Sequence, residues 1–193
     1  MKTFDPVFGS QRVFRCLLEA TASPGKVFAL PPFDVAAPET VARTLLDPEV
    51  TLCVAGTGAR ETEDRLSRLT GARAVPPPEA DFALMLDAEA GGLASELKRG
   101  SLEYPERGAT VIYAVVRLAE TGSLALRLGG PGVPESRNLG VEGLPVSEAE
   151  ALRESRAGYP LGVDAYLVDE AGMVAGLPRS TRLEVISSWP TRR

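Results

Sequence analysis

The chain has 193 residues, of which 44% are hydrophobic and 24% are charged, and its formal net charge at pH 7 is -5. A negative chain without a long basic run is unsuited to electrostatic capture of DNA, RNA or an anionic membrane, and its apolar stretches are far shorter than the ~18 residues of a membrane-spanning helix. Histidine is absent, which excludes Ser-His and Cys-His nucleophile pairs and imidazole metal ligands.

Helices and strands alternate in the first half of the sequence. Residues 10–22 place apolar side chains on one face at helical spacing, and Pro24-Gly25 ends the pattern, which predicts a first helix. The predicted buried face of this helix holds Val13, Phe14, Leu17 and Leu18. Further predicted elements are a helix over residues 38–46, a buried strand over 50–56, a surface helix over 59–71 with Leu66 and Leu69 as its apolar stripe, and strands over 82–87 and 110–118.

The second half is predicted to hold more sheet. An apolar run over residues 123–128 follows the strand over 110–118 after a short turn with glycine, so the two are expected to pair as a hairpin and to make the sheet mixed. Residues 129–145 are rich in proline and glycine and are interpreted as irregular. Ser147 and Glu150 stand at capping-box spacing and are expected to start the next helix. The remaining predicted elements are this helix, over residues 147–158, and short strands over 164–168, 173–178 and 182–187.

This order of elements predicts an α/β fold with a mixed β-sheet flanked by helices. One domain spanning residues 1–193 is expected, because globular domains usually hold about 100 to 200 residues. The strands over 164–168 and 173–178 carry few charges, and an exposed sheet edge without charges needs a cover. We therefore expect a homodimer. The N-terminal segment has no apolar core of a signal peptide, so a cytoplasmic location is expected.

Cysteine and lysine, which hold metals and cofactors in many proteins, are scarce. Cys16 and Cys53 each lie in an apolar pattern and are predicted to be buried hydrophobic residues rather than ligands. The lysines are Lys2, Lys26 and Lys98, and none follows a convincing strand as a Schiff-base lysine would. We therefore expect neither a metal ion nor pyridoxal phosphate.

Two glycine-rich loops offer backbone amides to an anion. The first, "AGTGARE" at residues 55–61, lies between a predicted strand and a predicted helix, where a helix N-terminus favours a phosphate. It lacks the third glycine of the dinucleotide-binding motif and the Gly-Lys-Ser/Thr of a P-loop, so a tight turn is the favoured interpretation and an anion site is the alternative. The second, "LGGPGV" at residues 128–133, leads into the irregular stretch, and a turn is favoured there too.

Four segments occur in the order and at the spacing found in one protein family. They are "FRCLLEATASPGKV" (14–27), "YPERGATVIYAVV" (104–116), "LRLGGPGV" (126–133) and "YPLGVDAYLVDEAGMVAGLPRSTRLEV" (159–185). The match covers nearly the whole chain, and "YPLGVD" followed by "PRSTRLEV" is its most specific part. On these segments the chain resembles the PhnH family, the H subunits of the carbon–phosphorus lyase of bacterial phosphonate metabolism.

The resemblance implies a fold similar to the large domain of pyridoxal-phosphate-dependent transferases, in a dimer that lacks the cofactor machinery. It also implies partners, since members of the family join the G, I and J subunits in a core complex. That complex couples a phosphonate to the ribosyl carbon of a nucleoside triphosphate and then cleaves the carbon–phosphorus bond. The I and J subunits are understood to carry the chemistry, the latter through an iron–sulfur cluster and S-adenosylmethionine. The two cysteines of this chain lack the spacing of a cluster motif.

A few residues within the matching segments are candidates for binding a ligand. The guanidinium of Arg127, just before the glycines, could hold a phosphate or a phosphonate, with a structural salt bridge as the favoured alternative. Asp164 and Arg179 could face the same cleft, although an ion pair that holds the sheet together is favoured for them. Arg15 on the first helix has the same two interpretations. The candidate ligand-binding residues are therefore Arg15, Arg127, Gly130, Gly132, Asp164 and Arg179.

The resemblance favours one function and leaves two alternatives open. The favoured function is a non-catalytic structural subunit of the carbon–phosphorus lyase core complex. We expect the "LRLGGPGV" loop to act in assembly, because its glycines permit the close approaches that a subunit contact requires. The alternatives are a nucleotide- or phosphonate-binding enzyme that uses a cleft at the dimer interface, and a free-standing dimer with a regulatory ligand.

Overall fold

The computed structural model describes residues 2–87 and 92–186 of the chain. Within these ranges the helices are α1 (Phe8–Ala22), α2 (Ala37–Leu45), α3 (Ala59–Thr70), α4 (Leu93–Glu96) and α5 (Val146–Ser155). The strands are β1 (Val27–Ala29), β2 (Thr51–Ala55), β3 (Arg73–Ala74), β4 (Phe82–Met85), β5 (Thr110–Val115), β6 (Arg117–Ala119), β7 (Leu124–Gly130), β8 (Val133–Glu142), β9 (Asp164–Asp169), β10 (Met173–Leu177) and β11 (Arg182–Ile186). None of these helices is long and apolar enough to cross a membrane.

Seven of the described strands form a sheet in the order β1-β10-β9-β5-β4-β2-β3. The strands from β3 to β9 in this order are parallel, whereas β10 is antiparallel to β9 and β1 is antiparallel to β10. The central strands come from apolar runs, as expected for parallel strands that are covered on both faces. The predicted α/β fold with a mixed sheet and flanking helices is confirmed. Its antiparallel part, however, comes from β1, β9 and β10 rather than from the predicted hairpin.

Alternate side chains along the central strands point to opposite faces of this sheet and fill two hydrophobic cores. Leu52 of β2 packs in the core that α1, α2 and α3 cover, with Leu17 and Leu66 among its members. The next residue, Cys53, packs in the core that α4, α5 and the second sheet cover, with Leu152 as a member. The large sheet is therefore the middle layer between three helices on one side and a mixed layer on the other.

The second sheet is antiparallel, in the order β11-β7-β8-β6. The hairpin predicted between residues 110–118 and 123–128 is wrong, because β8 lies between the two strands that these residues supply. Leu118 of β6 and Leu124 of β7 both pair with Val141 of β8. The chain leaves the first sheet at the end of β5 and enters the second sheet directly as β6. The apolar run 110–118 therefore supplies one strand to each sheet.

Strand β8 lies in the stretch 129–145, for which the proline and glycine content predicts irregular structure. Only Val133 and residues 139–141 of this ten-residue strand are buried. Its sequence therefore lacks the regular alternation of apolar and polar residues by which a half-buried strand is recognised. The interpretation was wrong because backbone pairing with two neighbouring strands, rather than its own side chains, holds β8 in the sheet.

The strands that were interpreted as a poorly protected edge, β9 and β10, lie inside the seven-stranded sheet. Strand β5 pairs with the free side of β9, and β1 pairs with the free side of β10. The edges are β1 and β3, which are three and two residues long, and short edge strands are a common protection against aggregation. The edge argument for a homodimer is therefore wrong, and a dimer needs a different surface.

Helix α1 turns a different face to the sheet from the one predicted. Val13 and Leu17 of the predicted face are buried as expected. The other two residues are not, since Phe14 is 46% exposed and Leu18 is 53% exposed. The helix packs on β10 so closely that a Cβ at Gly176 would lie 2.7 Å from the carbonyl oxygen of Ala20. Small residues at this contact set the rotation of the helix and leave the two larger side chains in solvent. In α3, Leu69 of the predicted stripe is likewise 54% exposed.

Near the C-terminus the elements are present but their boundaries differ in detail. Helix α5 begins at Val146 after Pro145 and has no side-chain cap. The predicted capping box is wrong, because Glu150 forms an ion pair with Arg153 at 2.5 Å instead of returning to the helix start. The three predicted C-terminal strands are confirmed as β9, β10 and β11. Ser187, the last residue of the third prediction, lies outside the described residues.

Candidate functional site

The four segments that carry the family resemblance meet in space. A Cβ at Gly132, in the third segment, would lie 2.5 Å from the carbonyl oxygen of Ala22 in the first. A Cβ at Gly130 would lie 3.0 Å from the carbonyl oxygen of Ser180 in the fourth. The second segment joins through Arg179, whose guanidinium donates hydrogen bonds to backbone carbonyl oxygens there. The junction of the four segments is therefore the candidate functional site.

The "LGGPGV" loop is a tight turn between β7 and β8. Gly130 pairs with Val133 across the turn, and Pro131 and Gly132 connect them. The φ angles of Gly130 and Gly132 are 113° and 75°, conformations that favour glycine. The interpretation as a turn is confirmed, and the expectation that it leads into irregular chain is wrong. Because both glycines lie against the backbone of the same chain, packing within one chain already requires them.

Asp164 and Arg179 form an ion pair at this junction. The backbone N–H of Arg179 donates to Oδ1 of Asp164 at 2.6 Å, and its Nε donates to Oδ2 at 3.0 Å. The remaining nitrogens of the guanidinium donate to the carbonyl oxygens of Pro105 and Gly108 as well as to Asp164. Arg179 thus connects the start of β9 to the chain that precedes β5. The ion-pair interpretation of these two residues is confirmed.

Asp164→Asn is expected to lower the free energy of unfolding by about 2 kcal/mol. Only 14% of the Arg179 side chain is exposed, so its charge would remain in place with little water to replace the carboxylate. Glu142→Gln is the matched control, because its partner Arg117 is 57% exposed and such surface pairs contribute little. Urea unfolding compares the two variants. Equal losses would contradict a structural role for the Asp164–Arg179 pair.

The other two candidate arginines lie apart from this pair. Arg127 is exposed on β7, opposite Glu184 of β11, and on the same face of the second sheet as Arg182. Its guanidinium makes no hydrogen bond or ion pair with any described residue, so the salt bridge favoured for it is not formed. Arg15 is exposed on α1, and no contact within residues 2–87 and 92–186 joins it to the other candidates.

A cavity of about 420 Å³ opens beside the Asp164–Arg179 pair. Four arginines line it, from the segments "RESR" at the end of α5 and "RSTR" before and into β11: Arg153, Arg156, Arg179 and Arg182. Arg153 and Arg179 are paired with carboxylates, whereas Arg156 and Arg182 have no carboxylate partner among the described residues. No acidic residue belongs to the described lining of this arginine-lined cavity.

Arg156 is only 7% exposed and is held by the backbone. Its Nε donates to the carbonyl oxygen of Val163 at 3.1 Å and its Nη2 to that of Leu177 at 2.6 Å, but its buried Nη1 has no hydrogen-bond partner among the described residues. Burial lowers the pKa of the Arg156 guanidinium to about 10, so the group stays charged at neutral pH. The buried hydroxyl of Thr181, another lining residue, also lacks a partner in the described chain.

Sequence reasoning missed Arg156, Thr181 and Arg182. The usable signal was the pair of Arg-x-x-Arg segments. In the first of them, at the end of a predicted helix, this spacing brings the two arginines near each other. In the sequence, the hairpin of β9 and β10 separates these segments. Only the packing of α5 beside β11 brings them to the same cavity.

A larger cavity, of about 710 Å³, lies at the carboxyl ends of β4 and β5. Open parallel sheets often bind their ligands at this edge. The walls are mostly apolar, and the charged lining residues are Glu39, Asp87 and Glu170 against Arg65, which pairs with Glu39 at 2.8 Å. An excess of carboxylates repels a phosphate or a phosphonate. This cavity therefore does not suit the anionic ligands that the resemblance implies.

The "AGTGARE" loop connects β2 to α3 and is also unsuited to an anion. The N–H of Thr57 donates to a carboxylate oxygen of Asp87 at 2.7 Å. The amide that would bind a phosphate is thus already used by a negative side chain. Gly58, with a φ of 75°, precedes the first residue of α3. The structure favours the interpretation as a tight turn.

Neither cysteine has the environment of a reactive thiol. Cys53 is 3% exposed, and burial raises its pKa to about 12. Cys16 is half-buried, and burial together with the charge of Glu19 raises its pKa. The prediction of a buried hydrophobic residue is confirmed for Cys53 and holds only in part for Cys16.

Comparison with known proteins supplies the relatives of this chain. A family model described as bacterial phosphonate metabolism protein (PhnH) matches residues 2–184. A Stutzerimonas stutzeri protein described as the C-P lyase subunit protein HtxG is 37% identical over 176 residues, which cover 91% of this chain and 86% of that protein. The Rhizobium meliloti (strain 1021) protein named alpha-D-ribose 1-methylphosphonate 5-triphosphate synthase subunit PhnH is 30% identical over 188 residues, which cover 93% of this chain and 92% of that protein.

Proposed function

This chain belongs to the PhnH family of bacterial phosphonate metabolism proteins, and from that premise we propose that it is a non-catalytic subunit of a carbon–phosphorus lyase core complex. The observation that carries the proposal is the 30% sequence identity to a relative that is itself named as a synthase subunit, in an alignment that covers 92% of that relative. In this proposal the complex couples a phosphonate to the ribosyl carbon of a nucleoside triphosphate, and partner subunits perform the chemistry.

The residues of this chain support placing the chemistry on partner subunits, of which the family resemblance implies I and J. Histidine is absent from the sequence, and burial raises the pKa of both thiols. Two of the lysines are engaged elsewhere: Lys26 lies over the ring of Phe28 at 5.1 Å, and Lys98 pairs with Asp81. A nucleophile, a Schiff-base lysine or a cluster ligand is therefore better supplied by another chain.

Co-expression with tagged G, I and J subunits tests this role. We expect the chain to co-purify with them. Phosphorus NMR of methylphosphonate and ATP should then detect ribosyl phosphonate with the full complex, and no product with the isolated chain. A complex assembled without this chain is the control. Turnover by the isolated chain would overturn the non-catalytic role, and failure to co-purify would overturn the partners.

We further propose that the isolated chain forms a homodimer through an exposed apolar stripe on α1. Val7, just before the helix, and Phe14 and Leu18 within it are separated by seven and four residues, so they lie on one face. These side chains are 68%, 46% and 53% exposed, respectively. A second copy of the chain would remove this stripe from water, which favours association.

Leu18→Asp is expected to weaken self-association at least tenfold, because it places a charge in the proposed contact. Sedimentation velocity at micromolar concentration measures the change. Leu69→Asp is the matched control, since Leu69 of α3 is equally exposed, at 54%, but lies outside the stripe. A monomeric wild-type chain would contradict the homodimer. Loss of the dimer in the Leu69 variant alone would contradict the choice of surface.

We also propose that residues 1–193 form one α/β domain related to the large domain of pyridoxal-phosphate-dependent transferases, and that the protein acts in the cytoplasm. The five parallel strands with helices on both faces support the relationship. The engagement of Lys26 and Lys98 supports the loss of the cofactor. After incubation with pyridoxal phosphate, we expect no Schiff-base absorbance band. A band that is lost in the Lys26→Ala variant would contradict the loss of the cofactor.

A further inference from the structure

The arginine-lined cavity carries positive charge that the described chain does not neutralise. Two of its four arginines have carboxylate partners, and the other two, Arg156 and Arg182, have none within residues 2–87 and 92–186. The whole chain is acidic, so this concentration of cations without a facing carboxylate is a local feature and not a consequence of composition. A cavity of one charge sign with low-dielectric walls concentrates ions of the opposite sign.

Two polar groups of the cavity residues are buried and unused. Nη1 of Arg156 and Oγ1 of Thr181 lack hydrogen-bond partners among the described residues. Buried polar groups are nearly always paired in native proteins, because leaving one unpaired forfeits its hydration without a replacement. An unpaired donor on a buried cation is the more costly of the two. Both atoms are shielded from solvent, so an anion that reaches them through a local movement of the cavity wall would satisfy both groups.

The geometry of Arg156 is already organised for such an acceptor. Carbonyl oxygens of Val163 and Leu177 fix two of its three guanidinium nitrogens, so the third is held in place by the fold. The free Nη1 carries two N–H groups on a delocalised cation, so it can donate charge-assisted hydrogen bonds to the oxygens of a phosphate or a phosphonate. Little side-chain entropy remains to be lost when an anion binds, which favours affinity.

We propose that the arginine-lined cavity binds a tetrahedral oxyanion, the phosphate or phosphonate group of a small ligand, with Arg156, Thr181 and Arg182 as its binding residues. Arg179 borders the site and stays paired with Asp164. The volume of about 420 Å³ leaves room for more than the anionic group itself. This inference uses only the isolated chain and does not depend on its place in a complex.

Titration calorimetry and thermal unfolding of the full-length chain test the proposal, with methylphosphonate, inorganic phosphate and tripolyphosphate as separate probes at matched ionic strength. We expect saturable binding with a rise in Tm. Arg182→Gln should weaken binding at least tenfold, because it removes an accessible cation that no carboxylate holds. Arg60→Gln is the matched control, since Arg60 is an exposed arginine of α3 outside the cavity and its loss changes the net charge equally.

Thr181→Val separates a ligand-binding role from a structural one. The hydroxyl has no partner in the described part of the chain, so valine of similar shape should leave Tm unchanged or higher while weakening anion binding about fivefold. Preference for methylphosphonate or for phosphate identifies the source of the anion, and equal affinity supports recognition of the shared tetrahedral group. The proposal is overturned by an absence of saturable binding at millimolar probe, or by equal affinities in the wild-type, Arg182→Gln and Thr181→Val proteins.

Discussion

Glu148→Ala is expected to lower the free energy of unfolding by about 3 kcal/mol or more. The carboxylate of Glu148 in α5 is fully buried and accepts hydrogen bonds from the backbone N–H groups of Gly92 and Ala94. It also accepts one from the hydroxyl of Tyr113 at 2.7 Å. Alanine would leave these three donors without an acceptor and would leave a cavity between α4, α5 and β5. Urea unfolding monitored by circular dichroism measures the loss.

Two further variants show whether the buried hydrogen bonds cause this effect. Glu150→Ala lies on the same helix, but its side chain is 38% exposed, so we expect little change in stability. Tyr113→Phe removes one donor and keeps the other two paired, so it should lower the free energy of unfolding by about 1 kcal/mol. If Glu148→Ala is as mild as Glu150→Ala, the carboxylate does not hold these elements together.

The elements that the sequence predicts well are those whose own side chains determine their burial. The runs that became β2, β4 and β5 are almost continuously apolar because both faces of a central parallel strand are covered. Helix α2 was equally predictable, with Pro38 near its start and Pro48 shortly after its end. For these elements local sequence and tertiary environment point to the same structure.

The failures occur where pairing or packing between distant segments decides the structure. Strand β8 has few buried side chains, and its place between β6 and β7 depends on backbone hydrogen bonds that no pattern in its sequence specifies. The rotation of α1 depends on Gly176, which lies on a strand more than a hundred residues away. Apolar spacing alone therefore could not distinguish Leu17, which is buried, from Leu18, which is not.

The candidate site was predictable only in part, for the same reason. The segments that carry the family resemblance do meet, and the ion pair favoured for Asp164 and Arg179 is formed. The unpaired nitrogen of Arg156 and the unpaired hydroxyl of Thr181 are products of burial, which exists only after the fold has formed. The Arg-x-x-Arg spacing is present in the sequence, but only the tertiary structure determines which of these arginines is buried.

Gly132→Ala is expected to lower the free energy of unfolding by about 3 kcal/mol, and Gly58→Ala by about 1 kcal/mol. The two glycines form a matched pair, because each has a φ of 75° and alanine pays the same conformational cost at both positions. A Cβ at Gly58 would meet nothing within 4 Å. A Cβ at Gly132 would lie 2.5 Å from the carbonyl oxygen of Ala22 and 2.8 Å from Cδ of Pro24, so the turn or the end of α1 must move.

The difference between these two variants in urea unfolding measures how tightly the turn is packed on α1, and equal losses would contradict the close contact. Arg127→Ala should leave stability near the wild-type value, because the Arg127 side chain is exposed and unpaired in the described chain.

The same variants separate assembly from ligand binding. If the loop makes a subunit contact, Gly132→Ala reduces co-purification under conditions where the chain stays folded, and Arg127→Ala retains it. If the loop contributes to an anion site, Arg127→Ala weakens methylphosphonate binding while assembly stays intact, and that result would contradict the expected role of the loop in assembly.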